Sequence, residues 1–324
     1  MIIVCGEALF DMMGTRTEAG QAFLPVVGGS PLNVAMGARR LGREVEFLSK
    51  LSTDWFGSRL DGFMEREAIG RRFLVRAPGM QTTLAFVALG EDGQPEYSFY
   101  GTGAADRSMT PDDLPAALPD DLAAVHFGSI SLAQEPTATT LLGFMERVAP
   151  TRVVTLDPNI RPSIIPDRAL YLERFARMLG LADIVKASAE DLEWMLGGKP
   201  DLEAVARAWS LAGPALAFVT DGGRGAVVAA KGQARFVPAE RVAVADTIGA
   251  GDTFQAAVLA FLDERGLLDK AALRGLDTQT IQDLTLFAVS AAAITCTRQG
   301  ADLPTRAEAV AAYERRKAAG AASA

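Results

Sequence analysis

Asp246-Thr247-Ile248-Gly249-Ala250-Gly251-Asp252-Thr253-Phe254 is the stretch on which the reading of this 324-residue chain turns. Before it, Arg241 to Ala245 reads as a short β-strand. After it, Phe254, Ala257, Val258, Phe261 and Leu262 recur at helical spacing, the apolar stripe of a helix on a core, and Gly266 ends the run. Gly249, Ala250 and Gly251 therefore stand at a helix N-terminus. Unpaired backbone N–H groups and the positive end of the helix dipole make such a turn an anion site. Small residues let a phosphate approach the backbone, and Asp252 at the same turn can accept a proton. A phosphoryl group held beside a carboxylate base is the minimum equipment for transfer to a hydroxyl. The plainer reading makes Asp252 a helix cap and the glycines a tight turn. A lone Gly-x-Gly would favour it.

Composition narrows the partners. Hydrophobic residues make up 49% and charged residues 22%, ordinary for a soluble globular protein. The formal net charge of −8, with no basic cluster, argues against nucleic acid or an anionic membrane as partner. No apolar run approaches the ~20 residues of a membrane span. Met1-Ile2-Ile3-Val4 runs into a strand without a basic n-region, so the expectation is a cytoplasmic protein without signal peptide. Cys5 and Cys296 lack paired spacing and read as free buried thiols. His126 is the single histidine, which excludes a His-based zinc cluster and reads as a hydrogen-bonded structural residue. Acid–base chemistry then falls to carboxylates.

Ile2 to Cys5 reads as a buried strand with Glu7 and Asp11 beyond its C-terminal end, where ligands bind in open α/β sheets. Asp11 can accept hydrogen bonds from two ligand hydroxyls, or be a solvated turn residue. In Gly28-Gly29-Ser30-Pro31-Leu32-Asn33, Ser30 suits an N-cap and Pro31 the first position of a helix reaching Leu41, with Gly42 as its stop. Gln21 to Val27 reads as a strand, and Thr82–Leu89 with Tyr97–Tyr100 as a hairpin around Glu91-Asp92-Gly93. Strand 122–127, helix 136–148 and strand 152–156 lead to Asp157-Pro158-Asn159-Ile160-Arg161-Pro162, where Arg161 can grip a phosphate or cap the turn. Strand 184–186 meets Glu190 and Asp191 in a first helical turn, where acidic residues also serve the dipole. Strand 215–220 meets Asp221-Gly222-Gly223-Arg224-Gly225, a phosphate-approach loop, a hairpin turn, or both. Ile281 to Thr297 reads as a core helix and the tail from Ala318 as frayed. Strands alternating with helices, and no linker, predict one domain over 1–324 with a mostly parallel sheet covered on both faces.

These motifs resemble the PfkB (ribokinase-like) carbohydrate kinases over nearly the whole chain, from Gly6 to Gly300, and among them the bacterial fructokinases most. The Asp246 stretch matches the family's second signature through Ala256-Ala257, and Gly28-Gly29 with Asn33 and Ala35 resembles the first. The resemblance implies a ribokinase-like three-layer α/β/α sandwich and a small β lid from about 12–27 and 80–101. It implies transfer of the ATP γ-phosphoryl group to a sugar hydroxyl, with Asp252 as base and Gly249, Ala250 and Gly251 as anion hole. Asp11, Gly28, Gly29, Asn33, Phe99 and Arg161 would bind sugar; Asn159, Lys186, Thr220, Gly223 and Gly225 would serve the nucleotide. Glu190 or Asp191 would hold Mg²⁺ through water, and Asp246, Ile248 and Gly300 would lie at a monovalent-cation loop for K⁺. A homodimer through the lid is a further implication.

D-Fructose is the expected acceptor, giving the 6-phosphate. Alternatives are 2-keto-3-deoxygluconate, ribose or a nucleoside, and, from another class, a catalytically weak sugar- or nucleotide-binding regulator. Ser52, Ser188 and Gly101 depart from the family pattern, which often has glycine, asparagine and arginine at those places. The missing arginine at 101 reads as evidence for a neutral sugar.

Overall fold

Each of the four residues of the first strand, β1 (Ile2–Cys5), is fully buried. Successive side chains of a strand point to opposite faces. Here Ile2 and Val4 enter one hydrophobic core while Ile3 and Cys5 enter another. A strand buried on both faces reads as a continuous apolar run, the signature of a parallel sheet covered by helices.

The computed structural model describes residues 1–18, 20–89 and 95–322. After β1 come β2 (Leu9–Thr17), β3 (Gly20–Gly28), α1 (Ser30–Arg40), β4 (Val45–Ser52), α2 (Trp55–Arg66), β5 (Gly70–Ala77), β6 (Leu84–Leu89) and β7 (Pro95–Tyr100). The chain continues with β8 (Ala124–Gly128), α3 (Thr137–Val148), β9 (Val153–Asp157), α4 (Arg168–Leu181), β10 (Ile184–Ser188), α5 (Ala189–Leu196) and α6 (Leu202–Ala212). It closes with β11 (Leu216–Thr220), β12 (Gly225–Ala230), β13 (Gln233–Pro238), α7 (Ala250–Glu264), α8 (Lys270–Gly275), α9 (Thr278–Cys296) and α10 (Arg306–Ala322).

Nine strands form one sheet in the order β13-β12-β11-β10-β9-β8-β1-β4-β5. Neighbouring strands are parallel except at one edge, where β12 pairs antiparallel with both β11 and β13 and so is the one strand of this sheet that runs against the rest. Helices α1, α7 and α9 pack on one face and α3, α4 and α6 on the other, giving the expected three layers. The chain leaves β1 toward β4 and later crosses back to β8 on its other side. That reversal opens a crevice at the strands' C-terminal ends, the usual ligand position in such sheets. A second sheet, ordered β3-β2-β6-β7, stands apart, with Asp11 in register with Val26 on one side and Ala85 on the other.

Three expectations need correction. Arg241–Ala245 is not a strand: its residues are mostly exposed and pair with no strand among the described residues, and Ala245 instead donates its amide to Cys296 O, 2.8 Å away. Ser30 is not the N-cap of α1. Gly29, at φ 106°, holds that position, and Ser30 is the first helical residue. The tail from Ala318 is helical through Ala322. The turn expected at Glu91-Asp92-Gly93 lies outside the described residues.

Helices α1 and α7 touch closely. A methyl group added at Gly37 would lie 2.6 Å from Leu303 Cδ2 and 2.7 Å from Ala256 Cβ, well inside contact distance. Gly37 follows Asn33 by one turn on α1, and Ala256 follows Asp252 by one turn on α7. Gly37→Ala is therefore expected to lower the unfolding free energy by about 1–3 kcal/mol through overpacking, measured by denaturant titration. An unchanged midpoint would mean that the helices are free to move apart.

Candidate active site

Helix α7 begins at the turn singled out above. Gly249 is its N-cap, at φ 78° and ψ 0°, a left-handed conformation that glycine adopts without strain. The first-turn amides of the helix follow at Ala250 and Gly251, with the dipole's positive end behind them. Asp252, the third helical residue, is buried at 6% exposure. Ser30 Oγ donates to its Oδ1 at 2.6 Å and Asn33 Nδ2 to its Oδ2 at 2.8 Å. The carboxylate thus faces the Gly28–Asn33 turn, and both of its oxygens are held by α1.

Beneath Gly251 lies an ion pair. Lys186 Nζ donates to Asp157 Oδ2 at 2.8 Å, with both side chains almost wholly buried. A methyl group on Gly251 would stand 2.9 Å from that ammonium, so glycine is what admits Lys186 to the turn. Burial disfavours the charge on Lys186, but Asp157, Asp191 and Asp252 outweigh it and move its pKa up. Burial, only partly offset by Lys186, pushes Asp157 up to about 6. Among the described residues, Asp157 Oδ1 has no hydrogen-bond partner.

Asp11 lies over Gly28, where an added methyl group would come within 2.1 Å of its Oδ2. Burial raises Asp11 to about 6, with Arg161 opposing the shift and Asp252 adding to it. Asp11, Arg161 and Asp252 are therefore near enough to feel one another's charge. Arg161 Nη1 also donates to Asn159 Oδ1 at 2.7 Å. Phe99 packs with Leu9, Ala85 and Ile130 under the small sheet.

The nucleotide and cation residues are less tightly gathered. Asp191 accepts from Ile160 N (2.7 Å) and Ser188 N (2.8 Å), whereas Glu190 is exposed. Thr220 ends β11, its hydroxyl 3.4 Å from Ala187 O. Gly223 has open space around it, but a methyl group at Gly225 would meet Val237 O at 2.2 Å, so that glycine is required by the β12–β13 pairing. Asp246 accepts from Thr247 N, Ile248 N and Gly300 N, which joins the two loops expected at the monovalent-cation site. Among the described residues, no three His, Cys, Asp or Glu side chains converge to hold a metal.

Sequence reasoning missed the part played by Ser30. Its signal was present in Gly29-Ser30-Pro31, but a serine before proline at a helix start reads first as a cap. His126 is the structural residue expected: it is fully buried, its Nδ1 lies 2.8 Å from Thr155 Oγ1, and burial holds its pKa down at about 3.

An amide-lined helix N-terminus beside a buried, oriented carboxylate, at the switch point of a parallel sheet, defines a phosphotransferase acting on an alcohol. The chain belongs to the pfkB family of carbohydrate kinases, whose profile matches residues 1–308. A fructokinase of Rhizobium leguminosarum bv. trifolii is 40% identical over 284 residues, 87% of this chain and 86% of that protein. The Xylella fastidiosa fructokinase structure with bound ATP superposes with a TM-score of 0.89 at 32% identity, covering 98% of each chain. The Vibrio cholerae O395 fructokinase bound to fructose, ADP and calcium gives a TM-score of 0.82 at 26% identity, covering 96% of this chain and 97% of that one.

Glu7, at the mouth of β1, supplies a test of these electrostatics. It is 1% exposed and accepts from Ser131 Oγ and Ser131 N, and burial raises its pKa from 4.5 to about 7. A carboxyl with a higher pKa folded than unfolded loses stability as it ionises, here as pH rises from about 4.5 to about 7. Glu7→Gln removes that loss. Its stability relative to the parent should be higher at pH 8 than at pH 5, by up to about 3 kcal/mol in denaturant unfolding. The same offset at both pH values would show that Glu7 titrates normally.

Proposed function

We propose that the protein transfers the γ-phosphoryl group of ATP to the 6-hydroxyl of D-fructose. Asp252 takes the hydroxyl proton, Gly249, Ala250 and Gly251 present amides to the phosphoryl oxygens, and Asn33 and Ser30 hold the base in place. What supports this most is the double hydrogen bond on Asp252 from the Gly28–Asn33 turn. Asp11, Gly28, Gly29, Asn33, Phe99 and Arg161 bind the sugar, with the small sheet as a lid that excludes competing water. Carboxylates at Asp11, Asp252 and Glu7 favour a neutral acceptor over a sugar acid.

Asn159, Lys186, Thr220, Gly223 and the Gly225 turn face the nucleotide. Mg²⁺ bound with it would neutralise charge on the phosphates, and it keeps most of its waters. Glu190 is the exposed carboxylate able to hold such a water, and Asp157 Oδ1 offers a second acceptor. K⁺ would sit at the loops that Asp246 ties together through Ile248 and Gly300. Phe23, Leu24 and Tyr100, exposed on the small sheet, fit a homodimer formed through it.

Asp252→Asn is expected to lower kcat by at least ~10², the low end for losing a general base. ADP release with a panel of sugars measures this, and near wild-type turnover would remove the role. Asp11 accepts sugar hydroxyls best when ionised, so the KM for fructose should fall as pH rises through about 6. Asp11→Asn should flatten that dependence; an unchanged pH profile would assign it elsewhere.

A further inference from the structure

Beside Asp11, a second cluster of buried polar atoms is only partly bonded among the described residues. Asp106, 5% exposed, takes a 2.6 Å hydrogen bond from Thr83 Oγ1 on one oxygen, while its Oδ2 is buried without a partner. The next residue, Arg107, donates from Nη1 to Gln134 Oε1 at 3.2 Å, while its Nε and Nη2 are buried without partners. Leaving buried donors and acceptors unmatched is costly, so such groups call for a partner that matches them.

The guanidinium is seated against Gly101. A methyl group there would lie 2.6 Å from Arg107 Cζ, 2.6 Å from its Nε and 2.7 Å from Thr83 Oγ1. The absence of a side chain at 101 is what lets Arg107 in.

Strand register places this cluster relative to Asp11. Asp11 pairs with Ala85 in parallel, and Ala85 pairs with Phe99. Thr83 lies two residues before Ala85 and Gly101 two after Phe99, so both continue the face that carries Asp11. The separation along the strand is about 7 Å, one pleat repeat. Phe10 N donates to Thr83 O at 3.3 Å, fastening the two segments directly.

We infer that Arg107, with Asp106, forms a recognition pocket for hydroxyl groups of a neutral polyol acceptor, next to the part of the sugar held by Asp11. Two unpartnered guanidinium nitrogens beside one unpartnered carboxylate oxygen match a pair of hydroxyls, each of which donates and accepts. The Asp106 carboxylate next to the guanidinium offsets its charge, which favours a neutral acceptor over a carboxylate-bearing one. The inference rests on the sugar-kinase reading above and makes Arg107 a specificity-determining residue of that site.

The test measures initial rates with D-fructose and with ATP as varied substrates, and fructose binding to the nucleotide-free enzyme by calorimetry. Arg107→Ala is expected to raise the fructose KM and Kd at least ~10-fold, one missing charged hydrogen bond, and to leave the ATP KM within twofold. Gly101→Ala, which pushes the guanidinium out, should do the same, and Arg107→Lys should recover part of the loss. Fructose KM and Kd unchanged in folded Arg107→Ala and Gly101→Ala proteins would overturn the pocket. So would ATP and fructose constants rising in parallel with a lowered Tm, which would mark a structural arginine. If the wild-type enzyme phosphorylates no sugar, the kinase reading itself fails, an outcome distinct from a wild-type kinase indifferent to Arg107.

Discussion

Ser30 and Asn33 donate to the two oxygens of one buried carboxylate across 222 and 219 residues of sequence. Much of the site's geometry depends on this contact. Burying a carboxylate is costly unless strong donors replace its water, and here the donors come from the first turn of another helix. Asp252 can therefore keep its place only if α1 and α7 present their N-termini to the same point. The small residues where those helices cross, Gly37 and Ala256, allow the approach. Two positive helix ends then converge on one anion site, so the packing of the core and the electrostatics of the crevice are set by the same contact.

Below that point the floor is acidic. Lys186 is the ammonium that Asp157, Asp191 and Asp252 all influence. A buried pair such as Lys186–Asp157 contributes little net stability, because desolvation offsets attraction. Its consequence is directional: it holds an ammonium against Gly251, where a negative ligand oxygen would meet it. On the proposed reading, a polyphosphate bound here would also meet carboxylates, which favours its arriving with a cation.

The alternation of strands and helices and the Gly249–Asp252 turn were legible in the sequence because their signals are local. Apolar runs, a glycine pair and an acidic residue stand within a few positions of each other. Asp11 and Asn33 could be named for the same reason. Arg241–Ala245 was misread because alternating apolar residues imitate a strand, and only tertiary context shows that no strand lies alongside. Ser30 was misread because a hydroxyl at a helix start serves a cap equally well. The partner that decides otherwise is far away in sequence. Arg107 was not legible: an absent side chain at 101 looks like a missing group until the fold shows a guanidinium filling the space. Between Glu190 and Asp191 the sequence offered no choice, and hydrogen bonding separates them by committing Asp191 to Ile160 N and Ser188 N.

The site's groups are divided between two sheets, and that division has a mechanical consequence. Asp252, Lys186 and Asp157 belong to the large sheet and its helices, while Asp11, Thr83 and Gly101 belong to the small sheet or its margins. The chain passes from one to the other at Gly6-Glu7-Ala8, where Glu7 is pinned by Ser131 beyond the end of β8. Gly29 lies so close to that link that an added methyl group would be 2.7 Å from Glu7 O. The crossing is thus clamped at the point where the two sheets meet. The Ser30–Asp252–Asn33 contact is made by helices that cover the large sheet, whereas Asp11 lies on the small sheet. The position of Asp11 relative to Asp252 is therefore set by how the two sheets pack, and the orientation of the Asp252 carboxylate by the contact between α1 and α7.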